Sequence, residues 1–170
     1  VNSIIAQTTA KVCHGELNQI ANRNNFQLTQ NDYIEIITEK SALLFSTACY
    51  LGALLADAPE NYAQSLKKFG NNLGIAFQIT DDLLDITGDE NTLGKTINRD
   101  IDKNKLTLSV IHMLQALDPD DRKKTLKKLS NTPKRKSFQK MLKKTDSLTY
   151  AANTAEQYIK NAVNALNIPN

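Results

Sequence analysis

The sequence has no tryptophan, and only six glycines, four prolines and two cysteines among 170 residues. So little glycine and proline excludes collagen-like or linker sequence and argues against a turn-rich sandwich. Two cysteines, Cys13 and Cys49, exclude a disulfide scaffold and a four-cysteine zinc site, and they point to a reducing compartment. Their expected place is as small core residues. Long hydrophobic runs are missing as well. The longest uncharged stretch, Ser41 to Ala56, has sixteen residues and includes Ser, Thr, Cys, Tyr and Gly. A membrane span needs about 20 apolar residues, so this stretch reads as a buried helix instead. No signal peptide opens the chain, which begins at Val1. The remaining composition, 41% hydrophobic and 23% charged, suits a single domain spanning residues 1–170 with one sizeable core.

Acidic residues are absent from one segment. Between Arg122 and Lys144 there are eleven Lys or Arg and no Asp or Glu, which leaves ten basic and eighteen acidic residues elsewhere. A basic block of this kind can bind nucleic acid or an anionic surface. It carries no aromatic interleaving and no nucleic-acid signature. Leu126, Leu129, Phe138, Met141 and Leu142 recur at helical spacing inside it, so the block reads as the solvated face of helices.

Periodicity along the chain is helical throughout. Ile4, Ile5, Val12, Leu17 and Ile20 fit a helix over 1–21, and a polar stretch, 22–27, follows as a loop. Thr29 is placed as the N-cap of a helix through Tyr33, Ile34, Ile36 and Ile37. The next helix, through Leu43, Leu44, Leu51 and Leu55, should end at Asp57-Ala58-Pro59, because proline disfavours helical geometry in the residue before it. A long helix from Pro59 or Glu60 through Leu66, Phe69, Leu73, Phe77 and Leu84 closes at Gly88. Residues 89–103 read as a loop, and helices resume at about 104–117, 119–129, 134–144 and 146–166. No alternating strand pattern is present, and the fold class is all-α. Asp118, Asp120 and Asp121 flank Pro119 and read as a helix cap. His14 and His112 have no partner at ligand spacing and read as ordinary helix residues.

One segment carries chemistry: Phe77-Gln78-Ile79-Thr80-Asp81-Asp82-Leu83-Leu84-Asp85. On a helix Asp81 and Asp85 share a face, with Asp82 beside them. Crowded carboxylates repel one another, and a divalent cation relieves that repulsion. Magnesium takes oxygen ligands and is usually held by one or two carboxylates together with substrate phosphates. The arrangement therefore suits a metal-bridged diphosphate, with Lys95 and Lys105 as charge partners for phosphate oxygens. A solvated acidic helix face is the plainer reading of the spacing, but these acids interrupt an apolar helix.

The string from Asn72 to Asp85 resembles the second aspartate-rich motif of trans-type polyprenyl diphosphate synthases. Further signals follow in that family's order. Gly15-Glu16-x-x-Gln19 resembles its Gly-Glu-x-x-Gln helix, and Lys40-Ser41 stands where the family has Lys-Thr. Gly94-Lys95 with Asp100 resembles the loop after the motif, and Lys105-x-Thr107-Leu108 its Lys-x-Thr-Leu. The resemblance implies an all-helical bundle of the isoprenoid synthase type. It also implies a cytoplasmic, magnesium-dependent homodimer that condenses isopentenyl diphosphate with an allylic diphosphate. In general character the chain resembles long-chain, octaprenyl-like bacterial members.

Carried over residue by residue, the resemblance gives Asp81, Asp82 and Asp85 to the metal. Lys40, Lys95 and Lys105 would hold the diphosphate, the Lys40-Ser41 pair would contact the diphosphate and the reacting carbon, and Gln78 would support the diphosphate or the developing carbocation. The loop after Gly94-Lys95 departs from the family pattern, having Thr96, Ile97 and Asn98 where Pro, a variable residue and Gly are common. The family's first aspartate-rich motif and the helices that carry it are not in residues 1–170. The expectation is therefore a C-terminal portion of such a synthase, inactive alone. A non-catalytic subunit of a synthase and a basic nucleic-acid-binding module are the other readings.

Overall fold

The computed structural model describes residues 1–88, 105–129 and 135–167, and every regular element among them is a helix. In chain order they are α1 (Asn2–Ala21), α2 (Gln30–Ile37), a π-helical turn (Thr38–Ala42), α3 (Leu43–Leu55), α4 (Glu60–Thr87), α5 (Leu108–Ala116), α6 (Pro119–Leu129), α7 (Arg135–Lys144) and α8 (Ser147–Ala165). The all-α expectation holds.

Local chemistry sets the helix ends. Thr29 caps α2 as expected: its Oγ1 accepts the Asp32 N–H at 3.2 Å, while Asp32 Oδ2 accepts the Thr29 N–H at 2.9 Å. This is a reciprocal capping box with Asp in the usual place of Glu. The end of α3 has a different cause from the one the sequence suggests. Asp57 adopts a left-handed φ of 50°, the Ala58 N–H donates to Ala53 O at 3.0 Å and the Asp57 N–H to Leu54 O at 3.2 Å. These are the two bonds of a Schellman motif. Pro59 opens the following helix instead, its carbonyl accepting the Ala63 N–H at 3.1 Å. Asp118 Oδ1 accepts the N–H groups of Asp120 and Asp121 at 3.0 and 2.9 Å, so the acids around Pro119 are indeed a cap, for α6. Helix α5 begins at Leu108, later than expected, because Thr107 is extended (φ −93°, ψ 165°).

The chain divides into two compact units, one of Val1–Ile20, Ile34–Gln78 and Thr154–Asn170, the other of Ala21–Tyr33 and Ile79–Asn153. In the first, helices meet through small residues. A Cβ on Gly74 would lie 2.5 Å from Ala42 Cα, and one on Gly15 would lie 2.5 Å from the Lys40 backbone nitrogen. Only glycine permits either approach. Ser46, buried beside this seam, donates from Oγ to Lys67 O at 3.0 Å. The expectation of a buried helix over Ser41–Ala56 is corrected here. Only Ala42, Ser46 and Ala53 are buried in that stretch, whereas Leu44 and Leu55 are exposed. Close backbone packing selects its small residues for the interior and leaves the large ones outside. Cys13 is likewise exposed on α1 rather than part of the core.

The second unit is built around α5, where Leu108, Ile111, Met113 and Leu114 are buried. From the basic block, Leu129, Phe138 and Leu142 join the buried set, as the helical spacing requires. Polar groups are placed to match. Gln139 Nε2 donates to Ile86 O at 2.6 Å, and His112 stacks on Tyr150 at 4.0 Å with its Nδ1 2.9 Å from Ser147 Oγ. His112 is thus a packed helix residue. No helix among the described residues is long and apolar enough to cross a membrane.

Candidate functional site

Lys40 and Ser41 lie in the π-helical turn of the first unit. Such turns insert a residue into the α-helical ladder, re-aim the side chains they carry, and recur at functional sites. The Lys40 ammonium donates to Gln19 Oε1 at 2.6 Å and sits 2.8 Å from Glu16 Oε2. Those two partners come from Gly15-Glu16-x-x-Gln19 on α1, and Gly15 is the residue that lets α1 reach the backbone at Lys40. One short motif therefore both admits and orients the lysine of the next. Ser41 Oγ donates to Gln78 Oε1 at 2.8 Å, and Gln78 is 8% exposed. With its side-chain oxygen accepting that bond, the Gln78 amide has a fixed orientation. His14, on the same helix as the clamp, holds Nδ1 2.7 Å from Glu39 Oε2 at the surface.

In the second unit the aspartates of α4 do not share one environment. Asp82 is 2% exposed and has a partner on each oxygen: the Tyr33 hydroxyl donates to Oδ2 and the Lys105 ammonium to Oδ1, both at 2.8 Å. Asp85 is also buried, whereas Asp81 is partly exposed. Exposure along this part of α4 recurs at Phe77, Thr80, Leu84 and Thr87, at helical spacing, and Asp81 adjoins that open face. Lys105 lies in the extended segment before α5. Two residues on, Thr107 Oγ1 is buried with no hydrogen-bond partner among the described residues.

Ser41 and Gln78 thus meet within the first unit, and Asp82 and Lys105 within the second. Lys95, Gly94 and Asp100 lie outside the described residues. Sequence reasoning missed Tyr33, which looked like a core aromatic; nothing in a separation of 49 residues ties it to Asp82. It also took Glu16 and Gln19 as part of a resemblance without seeing that they grip Lys40.

Among the described residues no three His, Cys, Asp or Glu side chains form a metal-binding group. Magnesium needs fewer, since it takes one or two carboxylates and fills its remaining positions with water and phosphate oxygen. Hard carboxylate oxygens from Asp81 and Asp85, four residues apart on one helix, fit that requirement. Asp82 already accepts one bond on each oxygen, from Tyr33 and from Lys105.

The polyprenyl synthetase family model matches residues 1–145. Geranylgeranyl diphosphate synthase of Sulfolobus acidocaldarius is 37% identical over 169 residues, covering 96% of this chain and 51% of that protein. Heptaprenyl diphosphate synthase component 2 of Geobacillus stearothermophilus is 42% identical over 113 residues, covering 66% of this chain and 35% of that protein. A crystal structure of a Caulobacter crescentus polyprenyl synthase, complexed with calcium and isoprenyl diphosphate, superposes with a TM-score of 0.89. It is 28% identical, over 96% of this chain and 51% of that one. The chain belongs to the polyprenyl synthetase family and has its helical fold. It spans about half the length of the relatives it matches along nearly its whole extent.

Proposed function

We propose that this chain forms the second-motif side of a prenyltransferase of isoprenoid biosynthesis, which condenses isopentenyl diphosphate with an allylic diphosphate. The observation that carries the reading is the pairing of Asp82 with Lys105 beside Asp81 on α4. It presents carboxylate and ammonium together, the two groups a metal diphosphate requires. Asp81 and Asp85 would supply oxygens to magnesium, with Asp82 completing the acidic cluster by holding Lys105. When bound, the metal supplies positive charge to the diphosphate leaving group. Lys40, Lys95 and Lys105 hold phosphate oxygens and stabilise the charge that develops as the carbon–oxygen bond breaks. Ser41 fixes Gln78, whose side chain would support the diphosphate or the developing carbocation. Apolar helices keep water from the electron-poor carbon. The calcium and isoprenyl diphosphate named for the Caulobacter relative support this chemistry. A cytoplasmic homodimer is part of the same reading, on the family resemblance. The relatives' named products run from geranylgeranyl through heptaprenyl to octaprenyl diphosphate, so the octaprenyl-like expectation widens to a polyprenyl product.

In the complete synthase, Asp81→Ala should lower magnesium-dependent pyrophosphate release by about 10²-fold or more. Turnover near wild type would remove Asp81 from the site. Residues 1–170 alone should release no pyrophosphate, since they contain no first aspartate-rich motif, and measurable release would overturn that part. The name "component 2" of the Geobacillus relative favours a second reading, a subunit of a multi-component synthase. Activity that appears only on mixing with a different polypeptide would select it.

A further inference from the structure

The proposal above leaves the basic block unused, and the second unit gives that block a cavity. A pocket of about 380 Å³ is lined by Lys124 and Lys128 of α6 and by Lys140 and Lys144 of α7. Its volume falls in the range of small-molecule sites, roughly 300–1,000 Å³. Met113, Leu117 and Met141 give it an apolar lining. Each lysine pair is spaced four residues apart, so on each helix two like charges face the same side and repel. Lys128 and Lys144 stand in last turns, where the helix dipole favours cations. Lys124 and Lys140 are mid-helix, and the dipole gives no reason for them. Among the lining residues one acid answers the four lysines, Asp121, which lies 3.3 Å from Lys124, and Asp118 at the start of α6 adds its charge to the same lysine from outside the cavity.

We propose that this cavity is a binding site for a soluble diphosphate, with the four ammonium groups taking its oxygens. A single phosphate monoester carries a charge of about −1.5 to −2, too little for four lining lysines opposed by one lining carboxylate. Two linked phosphates match that excess, and the methionine and leucine side chains accept a short hydrocarbon attached to them. The site goes beyond the prenyltransferase reading and shares none of its residues. It stands or falls separately.

The protein contains two methionines, Met113 and Met141, and both line the cavity. The full chain labelled with ¹³C at the methionine methyls therefore carries its only reporters in the site. Titration with inorganic pyrophosphate and with hexyl diphosphate, in metal-free buffer, should shift the methyl signals saturably, and hexyl diphosphate should bind more tightly. Lys124→Gln/Lys140→Gln changes two exposed side chains and should weaken binding at least 10-fold, with thermal stability close to wild type. The single variant Lys140→Gln should give a smaller loss. Asp81→Asn should leave the titration unchanged. The proposal is overturned if the methyl signals do not move, or if sodium chloride at matched ionic strength moves them equally. Response only to an oligonucleotide or to anionic vesicles overturns it too, in favour of a macromolecular or membrane partner.

Discussion

Removing one hydroxyl from the protein interior should be costly at Tyr33. The side chain is 1% exposed and donates at 2.8 Å to Asp82 Oδ2, which is itself in a residue 2% exposed. Tyr33→Phe leaves the ring in place, so packing is preserved and only the bond is lost. A hydrogen bond to a charged acceptor contributes about 1.5–3 kcal/mol, and burial keeps water from replacing the missing donor. For a protein of this size each kcal/mol lowers Tm by roughly 2–4 °C, so the fall should be about 3–12 °C in all. Urea unfolding followed by circular dichroism at the helix band reads the free energy directly. The ion pair can be tested in the same way. Asp82→Asn takes from the Lys105 ammonium, 12% exposed, the carboxylate charge 2.8 Å away. The loss should approach the 3–5 kcal/mol typical of a broken buried pair, reduced by what water reaches Lys105. Adding Lys105→Met to Asp82→Asn should then recover part of that stability, because the largely buried ammonium is removed with its partner. If Tyr33→Phe changes stability by less than about 0.5 kcal/mol, or if the two ion-pair substitutions simply add, the three residues are not the buried lock described here.

Two glycine substitutions should have opposite signs. Gly74→Ala would bring a Cβ to 2.5 Å from Ala42 Cα; overpacking of that kind costs about 1–3 kcal/mol. Gly52→Ala meets nothing within 4 Å, so thermal melts should show a gain near the ~1 kcal/mol of helix propensity. Equal effects at the two sites would contradict the close approach of α4 to the π-helical turn. At the start of α2, Thr29→Ala should cost about 1 kcal/mol. The Thr29 hydroxyl, and then its backbone N–H, hold the Asp32 carboxyl below its ordinary value of 3.8. A carboxyl depressed in the folded state stabilises above its unfolded pKa, and that contribution disappears as pH falls through the folded value. The gap between wild type and Thr29→Ala should therefore narrow below pH 3.8 in unfolding curves taken across the acid range. A gap that widens on acidification would refute the capping box.

The helices were legible because apolar residues recur at their period, and caps such as Thr29 and Asp118 because a short polar side chain can satisfy only nearby backbone N–H groups. Features set by contact between distant segments were not. The lateness of α5 follows from the extended backbone through Thr107. The end of α3 depends on a left-handed Asp57, which a proline two residues later obscured. Most hidden was the π-helical turn: its residues Thr38–Ala42 have ordinary helical composition, and only the approach of Gly15 and Gly74 to its backbone marks it as a special place. Within the candidate site the identities of Lys40, Ser41, Gln78 and Lys105 could be read from motif resemblance. Their partners could not, except where two motifs happen to hold each other.

That mutual holding explains why such short motifs carry so much information. Gly15-Glu16-x-x-Gln19 orients Lys40, Ser41 orients Gln78, and Asp82 orients Lys105. In each case a charged or polar group that would otherwise sample many rotamers is confined by a neighbour drawn from another motif. The three aspartates then need not act alike. Three carboxylates of one function, packed on adjacent turns, would destabilise the helix that bears them. Asp82 escapes this by pairing with a cation and a phenol in the interior, and it lies three residues before Asp85, the other buried acid of the set. Asp81, beside the exposed face of α4, is the one of the three that is partly open to solvent. The different surroundings of these identical side chains are therefore a consequence of where α4 is covered.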